Sequence, residues 1–565
     1  MGQHWKWLLT GMSRRRFVGG ALAVTLLAAC GGGESTPTAT GEGSGGSGGE
    51  TAPTATAAAP TVPANIDTSG STNGGLVPPK APESNLQSTK QLTVGMSLDP
   101  TTLNPVLTTT AAYQSIYAQI LEQLVIFGPD GGSVSPWLAE SFEWVDDTTL
   151  ELRLRQGISF TNGEPFDAES VKFSIDAFAA AKAYAFMIPP DVYKETEVVD
   201  EYTARVHLNR PYAPFIGFLA RGGAALPPKY YAEVGEDAFG QQPIGTGPFV
   251  LAEWVKDDHI TLKRNDDYWN GPHPVATVTY RVIPEDTARL AALETGEIDL
   301  AMLLPVSALN RLNASDTVDA VTHPGLRKFA LHFDTKTGPE ALKDKRVRIA
   351  LNLAVDKQAI VDGIFQGAAD PMEGQWEARQ EFGFNPNISM FPYDVEQAKA
   401  LLAEAGYADG FDLQVTYTVG RYPQDKELGE IVCDYIKQVG VNVIQRPLEY
   451  GTFTSLRQEG TLGSHQWGLL LPPEPYFNYG NFVQGSAYET HDLGDEYSRL
   501  VDEASRLTDL DEQLALYHQA AQIMHDDPPM LFLVIPQDIY GVSKRVRGFQ
   551  PRTDQVLWLF TVDVD

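Results

Sequence analysis

Cysteine is nearly absent from this chain: Cys30 and Cys433 are the two among 565 residues. That excludes a disulfide framework. Basic residues are scarce too, with 42 Lys and Arg against 73 Asp and Glu and a net charge of −31. An excess of that sign repels phosphate backbones and anionic lipid, so nucleic acid and acidic membranes are excluded as electrostatic partners. Catalytic signatures are missing as well. There is no G-x-S-x-G elbow between a strand and a helix, no H-E-x-x-H pair and no G-x-x-x-x-G-K-[ST] loop. Carboxylates are plentiful, but sequence does not set the separation that glycoside chemistry needs. An enzyme is the competing class without positive support, and a hydrolysis assay on candidate ligands discriminates it. The ten histidines are scattered. His518 and His525 fall seven apart on an expected helix and read as solvated residues, since no second ligand pair accompanies them. No metal and no cofactor is expected. Cys433, beside the apolar stripe of a helix, reads as a small buried residue and not as a nucleophile.

What is present begins at the N-terminus. Residues 1–29 carry Lys6, Arg14, Arg15 and Arg16 and no acid, and residues 17–29 are apolar or small. That run is too short to cross a bilayer and fits the hydrophobic region of a signal peptide. The stretch 13–18 resembles a twin-arginine export signal; an ordinary Sec signal with a basic start is the alternative. Leu27-Ala28-Ala29-Cys30 resembles the bacterial lipobox, with Cys30 lipidated as the mature N-terminus. Loss of four basic residues and no acid then takes the net charge from −31 to −35. With Cys30 acylated, Cys433 is alone and no intramolecular disulfide forms. Residues 30–90 are Gly, Ser, Thr, Pro and Ala with almost no large apolar side chain. Such a composition buries no core and reads as a disordered tether. Its roughly 60 residues reach on the order of 40 Å as a flexible coil.

Length then asks for two or three lobes after residue 90. The most informative stretch is 243–271, PIGTGPFVLAEWVKDDHITLKRNDDYWNG. Gly245 and Gly247 flank Thr246, so the backbone turns or approaches a neighbour there. Residues 249–255 and 260–263 read as a hairpin around 256–258. Gly-Thr-Gly leads into a strand, which argues against a phosphate loop. Upstream, residues 111–125 read as a helix, and Asp167 caps a helix that buries Val171, Ile175 and Phe178. Downstream, Asp286 caps a short helix to Leu293, Asp394 with Gln397 forms a capping box, and Leu428, Ile431, Val432, Tyr435, Ile436 and Val439 form a helical stripe. Residues 528–535 form an apolar strand.

The string P-I-G-T-G-P-F, then Trp254 and R-N-D-D-Y-W, resembles the signature of the extracellular solute-binding proteins of family 5. These form the peptide/nickel/oligosaccharide-binding lipoprotein class, the receptor subunits of ABC importers. The stretch 136–176, V-R-I-A-L at 347–351 with A-V-D-K at 354–357, and A-K-A-L-L-A-E-A-G-Y at 398–407 are similar to further markers of that family. The resemblance implies a mixed α/β, two-lobed periplasmic-binding-protein-like fold of type II, class C. Lobe I would span 91–284 with a subdomain inserted at about 118–242. Lobe II would span 285–527, and 528–565 would return to lobe I. It implies a monomer, lipid-anchored to the outer face of the cytoplasmic membrane. By hinge closure it would capture an oligopeptide-like solute and deliver it to permease subunits. An oligosaccharide receptor or a sensory receptor is the alternative.

The ligand is expected on loops 110–114, 372–376 and 465–479. Candidate binding residues are Tyr113, Gln114, Trp376, Trp467, Gly468, Leu469, Glu474, Tyr476 and Phe477. Aromatics there stack on rings or cations, with core packing as the alternative for each. Peptide-binding members have Gly-Trp followed by an Asp that pairs with the ligand's amino terminus. Here Leu469 follows Gly468 and that Asp is missing. Either Glu474 substitutes, or the cleft suits a neutral or blocked ligand.

Overall fold

Strand-forming segments far apart in the chain are collected into two main sheets, and two short stretches of backbone connect them. The computed structural model describes residues 86–128, 133–422, 424–471, 474–486 and 489–565. Cys30, the signal segment and the tether up to residue 85 lie outside the described residues. The first sheet has seven strands. In order they are Val318–His323, Asp538–Ser543, Leu300–Ala301, Gln91–Met96, Thr277–Val282, His259–Arg264 and Phe249–Val255. The second has six: Ala369–Pro371, Met530–Pro536, Lys328–His332, His465–Leu469, Asp412–Thr418 and Asn442–Leu448. A four-stranded antiparallel sheet, spanning strands from Ala139–Asp146 to Thr203–Leu208, packs with the helix Ala168–Ala180. Asp167 caps that helix in a reciprocal capping box with Ser170.

The two lobes are therefore joined at residues 324–327 and at Gln537. Both positions correct the boundaries read from sequence. Lobe II was expected from 285, yet Leu300–Ala301 and Val318–His323 pair in the first sheet. The reason is visible in the packing. Leu290, Leu293 and Leu312 belong to the apolar cluster of the second lobe while their neighbouring strands hydrogen-bond in the first. Similarly, the return was expected from 528, but Met530–Pro536 pairs with Lys328–His332 and Ala369–Pro371. The chain re-enters the first sheet after a single intervening residue, Gln537, at Asp538. The two crossings touch: a Cβ on Gly325 would lie 2.4 Å from the Pro536 carbonyl oxygen, so only glycine fits.

The signature stretch folds as its alternation predicts, with Val255 opposite His259 across the hairpin. Its other residues converge on one buried carboxylate that sequence did not single out. Glu122 accepts from Thr246 Oγ1 at 2.6 Å, Tyr268 Oη at 2.7 Å, Trp137 Nε1 at 2.8 Å and Trp269 Nε1 at 3.0 Å. Burial pushes its pKa up, and the four donors pull the other way. Gly245 and Gly247 are required because a Cβ on either would strike the backbone of residues 119–120, at 2.0 Å and 2.6 Å. The helix expected over 111–125 is shorter, Ala111–Tyr117. The helix Asp286–Glu294 is preceded by Glu285 at the capping position, one residue before the Asp286 expected there.

Substituting Glu122 by Ala strands four donors, of which those of Thr246, Trp137 and Tyr268 are buried. Each unpaired buried group costs about 1–3 kcal/mol. Glu122→Ala is expected to lower unfolding free energy by more than about 3 kcal/mol in urea titrations, with Glu122→Gln between it and the wild type. An Ala variant as stable as the wild type would contradict this reading.

Candidate functional site

A cavity of about 1220 Å³ opens where the chain crosses between lobes. Leu326 and Arg327 of the first crossing and Pro536, Gln537 and Asp538 of the second form part of its wall. Away from the crossings the lobes meet again. Tyr212 packs on Tyr476 with ring centroids 5.4 Å apart, Phe186 on Phe477 at 6.3 Å, and the Ala213 amide donates to the Ser505 carbonyl at 2.8 Å. The cleft is thus bounded by backbone crossings at one end and by aromatic pairs at the other.

Charge in this wall is unevenly matched. Asp286 is held by Arg289 at 2.6 Å, and Asp554 by Arg552 at 2.7 Å. Arg327 donates to the Gly468 carbonyl at 3.1 Å and lies 4.9 Å from the centroid of the Tyr422 ring. Arg421 lies 5.0 Å from the same centroid and 4.8 Å from that of Tyr450. Neither guanidinium has a carboxylate partner among the described residues. Burial lowers the Arg327 pKa; the neighbouring Tyr422 and Asp538 pull it back up, and Arg421 pushes it down. Trp467 holds Tyr422 in place, its Nε1 donating to the phenol oxygen at 3.2 Å. Asp538 is buried; its Oδ1 accepts from Gln555 Nε2 at 2.7 Å and its Oδ2 has no partner among the described residues. Burial pushes its pKa up to about 7.

The residues expected from sequence fall into two groups. Leu469, Tyr476 and Phe477 line the cavity. Tyr113 is half-buried and Gln114 buried on the first body helix, where Ala111 and Ala112 reach the wall instead. Trp376 is wholly buried, its Nε1 donating to Asn478 Oδ1 at 3.1 Å, so it is core. Trp467 buttresses Tyr422. Gly468 accommodates the Phe329 ring, which a Cβ would meet at 2.7 Å. Glu474 caps the helix Pro475–Tyr479, accepting from the Phe477 amide at 3.4 Å, and packs on Gly217 of the first lobe. Its carboxylate is thereby used in the fold, and it is absent from the cavity wall. Pro472 and Pro473 lie outside the described residues. Cys433 is buried with its thiol pushed up to about 12, and His518 and His525 hydrogen-bond the carbonyls of Phe384 and Gly374. Sequence reasoning missed Arg327, Arg421, Tyr422 and Asp538. The Arg421-Tyr422 pair directly after the strand Asp412–Thr418 was a usable signal, because residues just past strand ends face the clefts of α/β folds.

The family model described as "Bacterial extracellular solute-binding proteins, family 5 Middle" matches residues 133–489. The chain is 28% identical to the heme-binding protein A of Haemophilus influenzae over 474 residues, covering 78% of this chain and 85% of that protein. It is 28% identical to the dipeptide-binding protein of Escherichia coli K12, covering 80% and 90%. The structure of HbpA2 from Haemophilus parasuis superposes with a TM-score of 0.77 at 25% identity, covering 84% of this chain and 100% of that one.

Asp538 yields a pH prediction. Its folded pKa of about 7 stands above the ordinary value of 3.8. The folded state therefore keeps a proton that the unfolded state releases, and stability falls as pH rises between those values. Asp538→Asn removes that loss. In thermal denaturation the variant is expected to gain on the wild type between about pH 4 and about pH 8; a gap that stays constant would refute it.

Proposed function

Because this chain belongs to the bacterial extracellular solute-binding proteins of family 5, we propose that the cavity at the crossings captures an oligopeptide-like solute through its anionic group. The lobes close on it, and the loaded receptor delivers it to the permease of an ABC importer. The observation that supports this most is the pair Arg327 and Arg421 against the face of Tyr422. Guanidiniums held on an aromatic platform, with no carboxylate within ion-pair distance among the described residues, are preorganised for a carboxylate or similar anion. In a chain of net charge −31, a cationic patch inside a cleft also focuses anions where the rest of the surface repels them. A cavity of about 1220 Å³ exceeds the roughly 300–1,000 Å³ of usual small-molecule sites and leaves room for several residues of peptide. Dipeptides and heme, named for the two relatives, both carry carboxylates, which favours an anionic ligand over a neutral oligosaccharide. The receptor acts by binding alone and as a monomer. Closure is driven by contacts made only when both lobes reach the ligand.

Arg421→Ala and Arg327→Ala are each expected to weaken binding of a carboxylate-bearing dipeptide by about 10- to 100-fold in calorimetry, the scale of a charged hydrogen bond. Small-angle scattering should show a smaller radius of gyration with ligand. Undiminished affinity in both variants, or turnover of the ligand, would sink the proposal.

The reading also includes an anchor. A lipobox ending at Cys30 and a tether poor in apolar residues support acylation of Cys30, with the receptor held at the outer face of the cytoplasmic membrane. Two or more acyl chains bind firmly where one does not. Mass spectrometry of the membrane fraction should find no residue before Cys30, and Cys30→Ser should release the protein. A variant still in the membrane fraction would exclude the anchor.

A further inference from the structure

The strands Lys328–His332 and His465–Leu469 run antiparallel, with Lys328 opposite Leu469 and His332 opposite His465. One end of this pair gives Leu469 to the cleft between the lobes. The other end opens on a second cavity, of about 170 Å³, at the second sheet. The two strand ends are about 13 Å apart, and no described residue lines both cavities. His332 and His465 are 2% and 5% exposed, and their rings stack at 5.3 Å with planes 12° apart. Trp467, two residues along the same face, and Leu462 extend the apolar wall. The charged side chains of this wall are already engaged. Asp334 accepts from the amides of Lys336 and Thr337 at 3.0 Å and 2.9 Å, Lys336 pairs with Glu489 at 2.9 Å, and Arg457 lies over the Trp467 ring at 4.7 Å. Asp334 and Glu489 offset Lys336 and Arg457, so the wall has no net pull on an ion.

The imidazoles are engaged less fully. Burial holds both well below their ordinary pKa, so both rings are neutral at pH 7. His465 Nδ1 lies 2.8 Å from the Gly463 carbonyl oxygen and so carries the proton, which leaves its Nε2 as an acceptor. Neither nitrogen of His332 has a hydrogen-bond partner among the described residues, and its Nε2 is buried. A buried polar ring left unpaired is costly unless a further group completes it. No three His, Cys, Asp or Glu side chains among the described residues are spaced for a metal ion. The cavity therefore calls for a hydrogen-bonding molecule, and its size and walls narrow the class. A cavity of about 150 Å³ takes one benzene ring. The rings of His332, His465 and Trp467 favour another ring in stacked or edge-on contact. We propose that this cavity binds a small neutral aromatic molecule, a single ring carrying a hydroxyl or a ring N–H, with His332 as its hydrogen-bonding partner. The site is separate from the cleft and does not rest on the solute-binding reading. Trp467 connects the two: it lines this cavity, and its Nε1 donates to the phenol oxygen of Tyr422 at 3.2 Å. An occupant thus packs on the side chain that fixes the aromatic platform of the cleft.

Phenol and benzene, which differ by one hydroxyl, test this by calorimetry on the full chain. Wild type should bind phenol with a Kd at or below about 1 mM, and about 3- to 10-fold more tightly than benzene, the fold-change of one hydrogen bond. His332→Phe keeps a ring and removes both nitrogens, so it should bind the two probes equally. His332→Gln puts back a donor and an acceptor and should keep the preference for phenol. Melting curves check that both variants fold, and His332→Phe should melt no lower than the wild type because it deletes an unpartnered buried nitrogen. Failure of the wild type to bind phenol overturns the site. Equal binding of phenol and benzene by the wild type overturns it as well, and so does a preference for phenol that survives in His332→Phe. Each of these outcomes leaves the cleft reading intact, since that reading is tested by dipeptide binding in Arg327→Ala and Arg421→Ala.

Discussion

Two lobes can close on a ligand here because only 324–327 and Gln537 connect their sheets, and the two links lie against each other. Gly325 has no room for a Cβ beside the Pro536 carbonyl oxygen. The links are therefore held as one narrow hinge, not as two independent linkers. A one-residue step between Met530–Pro536 and Asp538–Ser543 permits rotation but little sliding, since both flanking strands are hydrogen-bonded in their sheets. The cavity sits at this hinge, so small angular changes there move its far aromatic rim through larger distances. That rim, Tyr212 on Tyr476 and Phe186 on Phe477, carries no charge and desolvates easily when the lobes meet.

Charge placement follows from the same constraint. Arg327 belongs to one crossing and Asp538 to the other. Arg327 ends the link before the second sheet and Asp538 opens the strand just after Gln537, so both side chains line the cleft. The next residue along the chain is used differently. Lys328, one residue beyond Arg327, is turned to the other face of its strand and meets Glu381 at 2.6 Å. The alternation of a strand thus sends neighbouring cations to opposite uses.

Sequence made the local features legible and left the long-range ones hidden. Thr246, Tyr268 and Trp269 were recognisable as a motif, but their common acceptor Glu122 lies far upstream in the irregular segment after the helix Ala111–Tyr117, with no pattern of its own. The stripe of Leu428, Val432 and Ile436 was readable because its period is 3.6, and all three are buried. The lobe boundaries were misplaced because a strand's partner cannot be read from its own residues. Leu300–Ala301 shows this most clearly, with two residues paired in one sheet and flanking leucines packed in the other lobe's core.

The candidate aromatics teach the same lesson about sites. Trp376 and Trp467 were chosen as stacking surfaces, and both are buried. Trp467 nevertheless serves the cleft indirectly. Its indole N–H donates to the phenol oxygen of Tyr422, while Phe329 packs edge-on to the Tyr422 ring at 5.5 Å. Two fixed contacts leave that ring little freedom, and a fixed ring in turn limits where two guanidiniums can settle against it. Preorganisation of this kind raises affinity by removing motion before the ligand arrives. Composition shows that aromatics are abundant in this chain; only the packing tells which of them touch a ligand and which hold the residue that does.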